Sequence, residues 1–178
     1  ICEPIPFDIT NAEEIAQVVD KAESALGLVD ILINNAGIPD AQRAHKMSNE
    51  FIDSMFDTNL VGPFKLSCEV ARRLIAAKQP GRMINISSVG GFNYSGNGAA
   101  LYSVTKSAII RMTEVLAVEW ARNNINVNAI APGAFSSEMM DGMLARMGDI
   151  AQHFPRKRIG DPAQMDSTLL YFLSPASE

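Results

Sequence analysis

Short apolar segments alternate with longer amphipathic segments along most of this 178-residue chain. The predicted strands are 5–7, 29–33, 83–86 and 125–130. The predicted helices are 12–26, 49–78, 100–122, 139–147 and 162–173. Strands that alternate with helices in this way form βαβ units and a parallel sheet. We therefore expect an α/β fold, a doubly wound parallel sheet with helices on both faces in three α/β/α layers.

Charge and composition argue against several classes of protein. Fifteen Lys and Arg residues against twenty Asp and Glu residues give a net charge of −5, which disfavours nucleic-acid binding and a polybasic membrane anchor. No apolar run approaches the ~18 residues that cross a bilayer. Cys2 and Cys68 are too few for a disulfide framework and lack metal-ligand spacing. We expect no metal site and, since no signal peptide is visible, a cytoplasmic location.

The most informative motif is Tyr102-Ser-Val-Thr-Lys106, at the start of a predicted helix. Residues four positions apart lie on one face of a helix, so the ammonium would stand beside the phenol. An ammonium favours the phenolate and would lower the tyrosine pKa from its reference value of about 10. The pair could then act as general acid or base near neutral pH. A surface Tyr and Lys without a role would have the same spacing.

Polar and small residues follow two of the predicted strands. Ser87 and Ser88 come directly after one strand, where a hydroxyl could donate to a substrate carbonyl oxygen or could only cap the strand end. Asn34-Asn35-Ala36-Gly37 ends another strand. Its small residues would let a ligand approach the backbone closely, although the segment could also be no more than a turn.

Asn59 lies inside the helix predicted over 49–78, beside a kink predicted at Gly62-Pro63. Asparagine is unfavourable in the middle of a helix because its amide competes for backbone partners. Its position therefore suggests a local distortion with a use, although an exposed asparagine would cost little stability.

Taken together, these motifs form an ordered set. In chain order they are Asp8, Asn34-Asn35-Ala36-Gly37, Asn59, Asn85-Ile86-Ser87-Ser88, Tyr102-x-x-x-Lys106 and Pro132-Gly133. The set resembles the short-chain dehydrogenase/reductase family, in the branch similar to 3-oxoacyl-carrier-protein reductases. The resemblance implies a single Rossmann-type domain over residues 1–178. It also implies hydride transfer between NAD or NADP, with the choice undetermined, and a small-molecule ketone or secondary alcohol.

The resemblance assigns catalytic roles to four residues. Tyr102 would give a proton to the carbonyl oxygen or take one from the alcohol. Lys106 would lower the Tyr102 pKa and hold the nicotinamide ribose. Ser88, chosen over Ser87 because it ends the Asn-Ile-Ser-Ser run, would polarise the substrate oxygen. Asn59 would stabilise the helix kink and a water chain behind Lys106.

The resemblance also implies a set of cofactor contacts. Asp8 would contact the adenine, and the turn Asn35–Gly37 would contact the adenosine ribose. Pro132 and Gly133 would border the nicotinamide, and Ser137 would contact the carboxamide. The implied cofactor-binding residues are therefore Asp8, Asn35, Ala36, Gly37, Tyr102, Lys106, Pro132, Gly133 and Ser137.

Neither Gly-x-Gly-x-x-Gly nor Thr-Gly-x-x-x-Gly-x-Gly occurs in the sequence, although a dinucleotide fold places such a turn after its first strand. The resemblance makes Ile5–Phe7 the third strand of the family, with two βα units before it and a last strand after Glu178. Without those units, Ile5–Phe7 would have no neighbouring strand and the sheet would expose an unpaired edge. We therefore expect an incomplete domain that does not bind cofactor tightly alone.

Assembly, a lid and a second function complete the sequence-based expectations. Family members build homodimers or homotetramers through the helices that correspond to 49–78 and 100–122. The methionine-rich segment 135–147 could be a flexible substrate lid or a helix packed on the core. The alternative function is a non-catalytic scaffold for binding or assembly, which would not need Tyr102 and Lys106. A serine hydrolase is disfavoured because Gly-x-Ser-x-Gly is absent.

Overall fold

The computed structural model describes residues 2–94, 96 and 98–177. The chain divides into two compact units, Ile1–Ala131 and Pro132–Glu178. The first unit contains the strands β1 (Ile31–Asn34), β2 (Gly81–Ile86) and β3 (Ile125–Ile130). Its α-helices are α1 (Ala12–Leu26), α2 (Asn49–Phe56), α3 (Gly62–Ala77) and α4 (Ala100–Trp120). The strands are parallel and adjacent in the order β1-β2-β3, as βαβ connections require.

The core of the first unit lies on one face of this sheet. Helices α1, α3 and α4 pack there against alternate strand residues, which point to the same side because strand side chains alternate. The strand members of this core are Leu32, Met83, Ile125 and Val127. Between α1 and α3, Arg73 forms ion pairs with Asp20 at 2.7 Å and with Glu23 at 2.8 Å. The core therefore fixes α4 above the sheet, and α4 carries the Tyr102–Lys106 motif.

The strand predicted at Ile5–Phe7 is wrong. These residues form no strand, and β1 has no partner on its outer side within the described part of the chain. Pro4 and Pro6 lack the N–H groups that strand pairing needs. The unpaired edge is the expected result, and Ile31 and Ile33 are each 38% exposed along it.

The helix predicted over 49–78 is interrupted one turn before the expected kink. Residues Asp57–Val61 form a π-helical turn between α2 and α3, and Pro63 occupies the first turn of α3. Proline fits there because the first helical N–H groups have no partner within the helix. The distortion that Asn59 suggested is thus present, and Asn59 lies inside it.

Helix α1 has the predicted bounds, and Asn11 is its N-cap. The Asn11 side chain accepts from the Glu13 N–H at 3.0 Å. Asn11 also donates to Glu14 at 2.9 Å. Thr10, one residue earlier, donates its hydroxyl to Asp8 at 2.8 Å. Asparagine is among the residues preferred at this position of a helix.

The second unit contains α5 (Glu138–Met147) and α6 (Asp166–Leu173). An isolated parallel bridge pairs Phe135 with Gly160. Asp161 and Gln164 form a capping box for the short 3-10 helix that precedes α6, and Pro162 is the first residue of that 3-10 helix. None of the helices formed by the described residues has the length and apolar character that a bilayer-spanning helix requires.

Candidate active site

The carboxyl ends of β1 and β2 lie side by side, with Asn34 paired to Asn85. Ligands of open α/β sheets bind at this edge. The turn Asn35–Gly37 follows β1, and Ser87 and Ser88 follow β2. Asn34 donates to Asn85 at 2.8 Å inside the core, so the two strand ends are held in register by a buried hydrogen bond. Parallel pairing therefore brings both predicted motifs to one place.

Ser88 and Tyr102 lie beside each other at the end of β2. The Ser88 side chain lowers the pKa of Tyr102, and the Ser88 Oγ accepts from the Gly90 N–H at 3.1 Å. A Cβ at Gly90 would lie 3.4 Å from Ser88 Oγ and 3.7 Å from Tyr102 Cε1. The Ser88 hydroxyl and the Tyr102 ring therefore border the same space beside Gly90.

Ser87 has a different position. Its hydroxyl is buried and donates to the Lys106 carbonyl oxygen at 2.8 Å. The side chain of Ser87 therefore attaches the end of β2 to the backbone of α4. The choice of Ser88 as the residue beside Tyr102 agrees with this arrangement.

Lys106 lies one turn after Tyr102 and is only 5% exposed. Its Nζ donates to the Ile86 carbonyl oxygen at 2.8 Å and lies 5.6 Å from the centre of the Tyr102 ring. A Cβ at Gly37 would come within 3.5 Å of this Nζ. The ammonium thus lies between the end of β2 and the turn after β1.

Burial shifts the pKa values of Tyr102 and Lys106 in opposite directions. Loss of solvation raises the pKa of Tyr102, and its hydrogen bond with Ser88 lowers that pKa in part. Loss of solvation lowers the pKa of Lys106. The net direction for Tyr102 is opposite to the predicted lowering by Lys106. The physical reason is that burial favours the neutral phenol over the phenolate.

Asn59 links the turn after β1 to the helix α4. Its side chain is 1% exposed, accepts from the Ile38 N–H at 2.8 Å and donates to the Ile38 carbonyl oxygen at 3.0 Å. The same amide donates to the Thr105 hydroxyl at 3.3 Å, and that hydroxyl donates to the Tyr102 carbonyl oxygen at 2.9 Å. Both the oxygen and the nitrogen of this buried amide are hydrogen-bonded. Asn59 therefore holds the turn after β1, the π-helical turn and α4 in fixed positions relative to one another.

Several contributing residues were missed from the sequence. Thr105 is completely buried, and Ser103 and Ser107 donate from α4 to the carbonyl oxygens of Gly90 and Gly91. These hydroxyls hold the loop that carries Ser88 against the helix. Ser103, Thr105 and Ser107 are spaced by two positions in the sequence, and this spacing was the only pattern that could have indicated a shared role. Spacing alone does not distinguish a hydroxyl that bonds to a loop from one that faces solvent.

Among the predicted cofactor contacts of the first unit, Asp8, Asn35 and Ala36 are exposed and Gly37 is half-buried. Hydrogen bonds from the Thr10 backbone N–H and hydroxyl lower the pKa of the Asp8 carboxyl. This carboxylate is therefore charged and available at neutral pH.

The remaining predicted contacts belong to the second unit. Ser137 caps α5, where its hydroxyl accepts from the Met140 N–H at 3.2 Å. Space around Gly133 is open, since a Cβ there would meet no atom within 4 Å. No residue of α5 is buried, and Met147 is 47% exposed. Within the described residues, no three His, Cys, Asp or Glu side chains are grouped as metal ligands would be.

A family model described as short chain dehydrogenase matches residues 2–147. The chain belongs to the short-chain dehydrogenase family. It is 36% identical over 174 residues to 2-dehydro-3-deoxy-D-gluconate 5-dehydrogenase of Dickeya dadantii, which covers 96% of this chain and 68% of that protein. The predicted family and the predicted oxidoreductase class are confirmed.

Solved structures agree with this assignment. A 4-hydroxyisoleucine dehydrogenase complexed with NADH is 32% identical with a TM-score of 0.82, over 97% of this chain and 73% of its own. A gluconate 5-dehydrogenase from Burkholderia cenocepacia in complex with NADP and tartrate is 30% identical with a TM-score of 0.87, over 96% and 68%. The Rossmann-like α/β fold is confirmed, and one neighbour holds NADH while the other holds NADP.

Proposed function

We propose that Tyr102 is the proton-transfer group of an NAD(P)-dependent oxidoreductase that interconverts a ketone and a secondary alcohol. The observation that carries this assignment is the placement of Ser88 and Tyr102 around one space, beside a buried Lys106, at the carboxyl edge of the sheet. Ser88 also caps the short 3-10 helix Val89–Gly91, but that role needs neither the Tyr102 phenol nor the buried Lys106. A scaffold without catalysis would gain nothing from burying these groups together.

The residues around Gly37 fit a nicotinamide cofactor. Gly37 lacks a side chain where a Cβ would lie 3.4 Å from Asn59 Oδ1 and 3.5 Å from Lys106 Nζ, so a ligand hydroxyl can approach the ammonium there. When bound, the cofactor supplies or accepts the hydride. We assign its contacts in the first unit to Asp8, the turn Asn35–Gly37 and Lys106. The contacts that the family resemblance implies for Pro132, Gly133 and Ser137 stay predictions.

The protein contributes the proton and the polarity of the site. In the reduction direction, the substrate carbon accepts a hydride while its oxygen accepts the proton of the Tyr102 hydroxyl. The Ser88 hydroxyl donates to the same oxygen as negative charge develops on it. The reaction leaves Tyr102 as a phenolate, which the positive Lys106 stabilises until solvent returns the proton. In the oxidation direction the same groups work in reverse, with Tyr102 as the base.

Asn59 has a positioning role in this proposal. Its bonds to Ile38 and Thr105 hold the π-helical turn against α4, and α4 carries Tyr102. We also retain for Asn59 the expected support of a water chain behind Lys106.

We further propose a homodimer or homotetramer built through the helical segments 49–78 and 100–122, in the cytoplasm. In support, three valines form one stripe along α4 because they are spaced by eleven and three positions. Val104, Val115 and Val118 are 53%, 39% and 81% exposed. A second apolar surface would cover such a stripe. Both cysteines are free thiols, which suits a reducing compartment.

The test of the proposed function is a substrate screen on the whole gene product. NADH and NADPH are each mixed with a panel of keto acids, keto sugars and β-ketoacyl esters, and absorbance at the nicotinamide wavelength is followed. We expect ketone-dependent oxidation of at least one cofactor. Binding of a cofactor without turnover of any ketone, and of any alcohol in the reverse direction, would instead favour the non-catalytic scaffold.

A further inference from the structure

Helix α4 begins without a cap of its own. The residue at its N-cap position is Ala99, which makes no side-chain hydrogen bond to the helix. The first N–H groups of a helix have no partner within the helix and need an outside acceptor. Tyr102 lies in this first turn, so whatever satisfies the turn also decides where the phenol is held.

A carboxylate from a distant part of the chain supplies the missing cap. Asp40 is 5% exposed, and its Oδ2 accepts from the Leu101 N–H at 3.1 Å. Its other oxygen, Oδ1, accepts from the Gln42 N–H at 2.8 Å. Leu101 directly precedes Tyr102, although Asp40 lies 61 positions earlier in the chain. A charged acceptor at a helix N-terminus is favourable both as a hydrogen-bond partner and against the helix dipole.

The contacts around Asp40 extend this attachment. Gly98 has a φ of +81°, and a Cβ there would lie 3.6 Å from the Gln42 carbonyl oxygen. Arg43 donates through Nη1 to the Gly96 carbonyl oxygen at 2.9 Å. The segment 40–43 therefore packs along the chain that leads into α4, and Asp40 is its buried anchor.

We propose that Asp40 is a positioning residue for proton transfer. By capping α4 from the loop after β1, it fixes the first turn of the helix and so holds Tyr102 beside Ser88. The same loop carries Gly37 beside Lys106, so one carboxylate ties the cofactor side of the site to the proton donor. This inference rests on the proposed function for its catalytic consequence, but the capping contact can be tested separately.

The first experiment needs no turnover. Amide hydrogen exchange is measured on Asp40→Ala and Asp40→Asn, with Ser48→Ala as the matched control. Ser48 caps α2 through the Phe51 N–H at 3.2 Å, so its loss removes an equivalent cap from another helix. We expect exchange in residues 99–105 to rise by about 5- to 30-fold in Asp40→Ala and less in Asp40→Asn, which keeps one acceptor oxygen. Ser48→Ala should leave that segment unchanged.

The second experiment separates positioning from general stability. With a ketone found in the screen, Asp40→Ala should lower kcat by roughly 10- to 100-fold at nearly unchanged ketone KM. Asp40→Asn should recover part of the loss, and Ser48→Ala should keep the wild-type kcat. The proposal is overturned if Asp40→Ala, which removes both acceptor oxygens, shows wild-type exchange over 99–105, or if Ser48→Ala loses kcat equally. An unchanged rate in Tyr102→Phe would instead refute the proposed function, whatever the exchange data show.

Discussion

Burial sets the chemistry of the two central side chains. A tyrosine that loses solvation favours its neutral form, and a lysine that loses solvation also favours its neutral form. The sequence could predict that Tyr102 and Lys106 share a helix face, because that follows from spacing alone. It could not predict that Lys106 bonds to the Ile86 carbonyl oxygen, since that contact depends on how α4 packs on β2. The predicted direction of the Tyr102 pKa was wrong because burial raises that pKa.

The pKa of Tyr102 gives a direct prediction at this scale. We expect it to lie above the ordinary value of about 10 in the cofactor-free protein, because burial outweighs the hydrogen bond from Ser88. Tyrosine Cζ signals in carbon-13 NMR report ionisation, and with three tyrosines the Tyr102 signal is assigned by its loss in Tyr102→Phe. A Tyr102 signal that titrates below free tyrosine would contradict the burial argument.

The sign of the pH dependence follows from the same shift. The folded protein holds the Tyr102 proton more tightly than the unfolded chain does. Its contribution to stability is therefore fully present below the unfolded pKa of about 10 and is lost as pH rises through the higher folded pKa. In the cofactor-free protein, the phenol form that donates to a carbonyl is accordingly retained throughout the neutral range.

Regular elements were predicted well where a local pattern determines them. The bounds of α1 and β3 match the sequence prediction, since amphipathic period, glycine after the helix and a β-branched apolar run are local signals. The sequence predicted a kink at Gly62-Pro63, whereas the π-helical turn lies just before it, at Asp57–Val61. It is fixed by the bonds of Asn59 to Ile38, 21 positions away, which no local pattern reveals. The strand prediction for Ile5–Phe7 was wrong because a strand also needs a neighbouring strand with which to form hydrogen bonds.

The loop after β2 depends on a glycine at position 91. A Cβ there would lie 2.9 Å from Ile110 Cδ1 and 3.0 Å from the Lys106 carbonyl atoms, so Gly91→Ala must push this loop away from α4. We expect the free energy of unfolding to fall by about 1–3 kcal/mol, together with a lower kcat because Ser88 shifts. Denaturant titration and kinetics measure both.

Gly142→Ala is the matched control for that substitution. Gly142 lies inside α5, where a Cβ would meet only Arg146 Nη1 at 3.7 Å. Alanine is the better helix former, so this change should be neutral or stabilising by up to about 1 kcal/mol. Equal changes in the free energy of unfolding for Gly91→Ala and Gly142→Ala would show that close packing at position 91 does not determine the position of the loop.

For the molecule as a whole, composition excluded classes of protein, whereas the order of the motifs indicated the family. A net charge of −5 disfavoured nucleic-acid binding, and the ordered motifs indicated the family that the comparisons confirm. The substrate did not follow from either, because it depends on side chains that surround the Ser88–Tyr102 pair rather than on the pair itself. The single domain over 1–178 and the assembly through helices stay predictions.

The valine stripe gives the assembly a specific test. Val118 is 81% exposed, so Val118→Lys should hardly change monomer stability but should place a charge in any apolar interface formed by α4. We expect light scattering coupled to size-exclusion chromatography to show a smaller particle for this variant than for the wild type. Leu26→Lys is the control, since Leu26 is 62% exposed outside the proposed helices. If Val118→Lys has the same mass as the wild type, the proposal that α4 forms the interface is wrong.

The central claim is that Tyr102 moves the proton, and Tyr102→Phe tests it most directly. In the whole gene product, with a ketone from the screen and saturating cofactor, we predict that kcat falls by about 100- to 10,000-fold while cofactor affinity changes little. Tyr171→Phe, which alters a tyrosine that is 64% exposed on α6, should keep the wild-type kcat. A Tyr102→Phe enzyme that reduces the ketone at the wild-type rate would contradict the account.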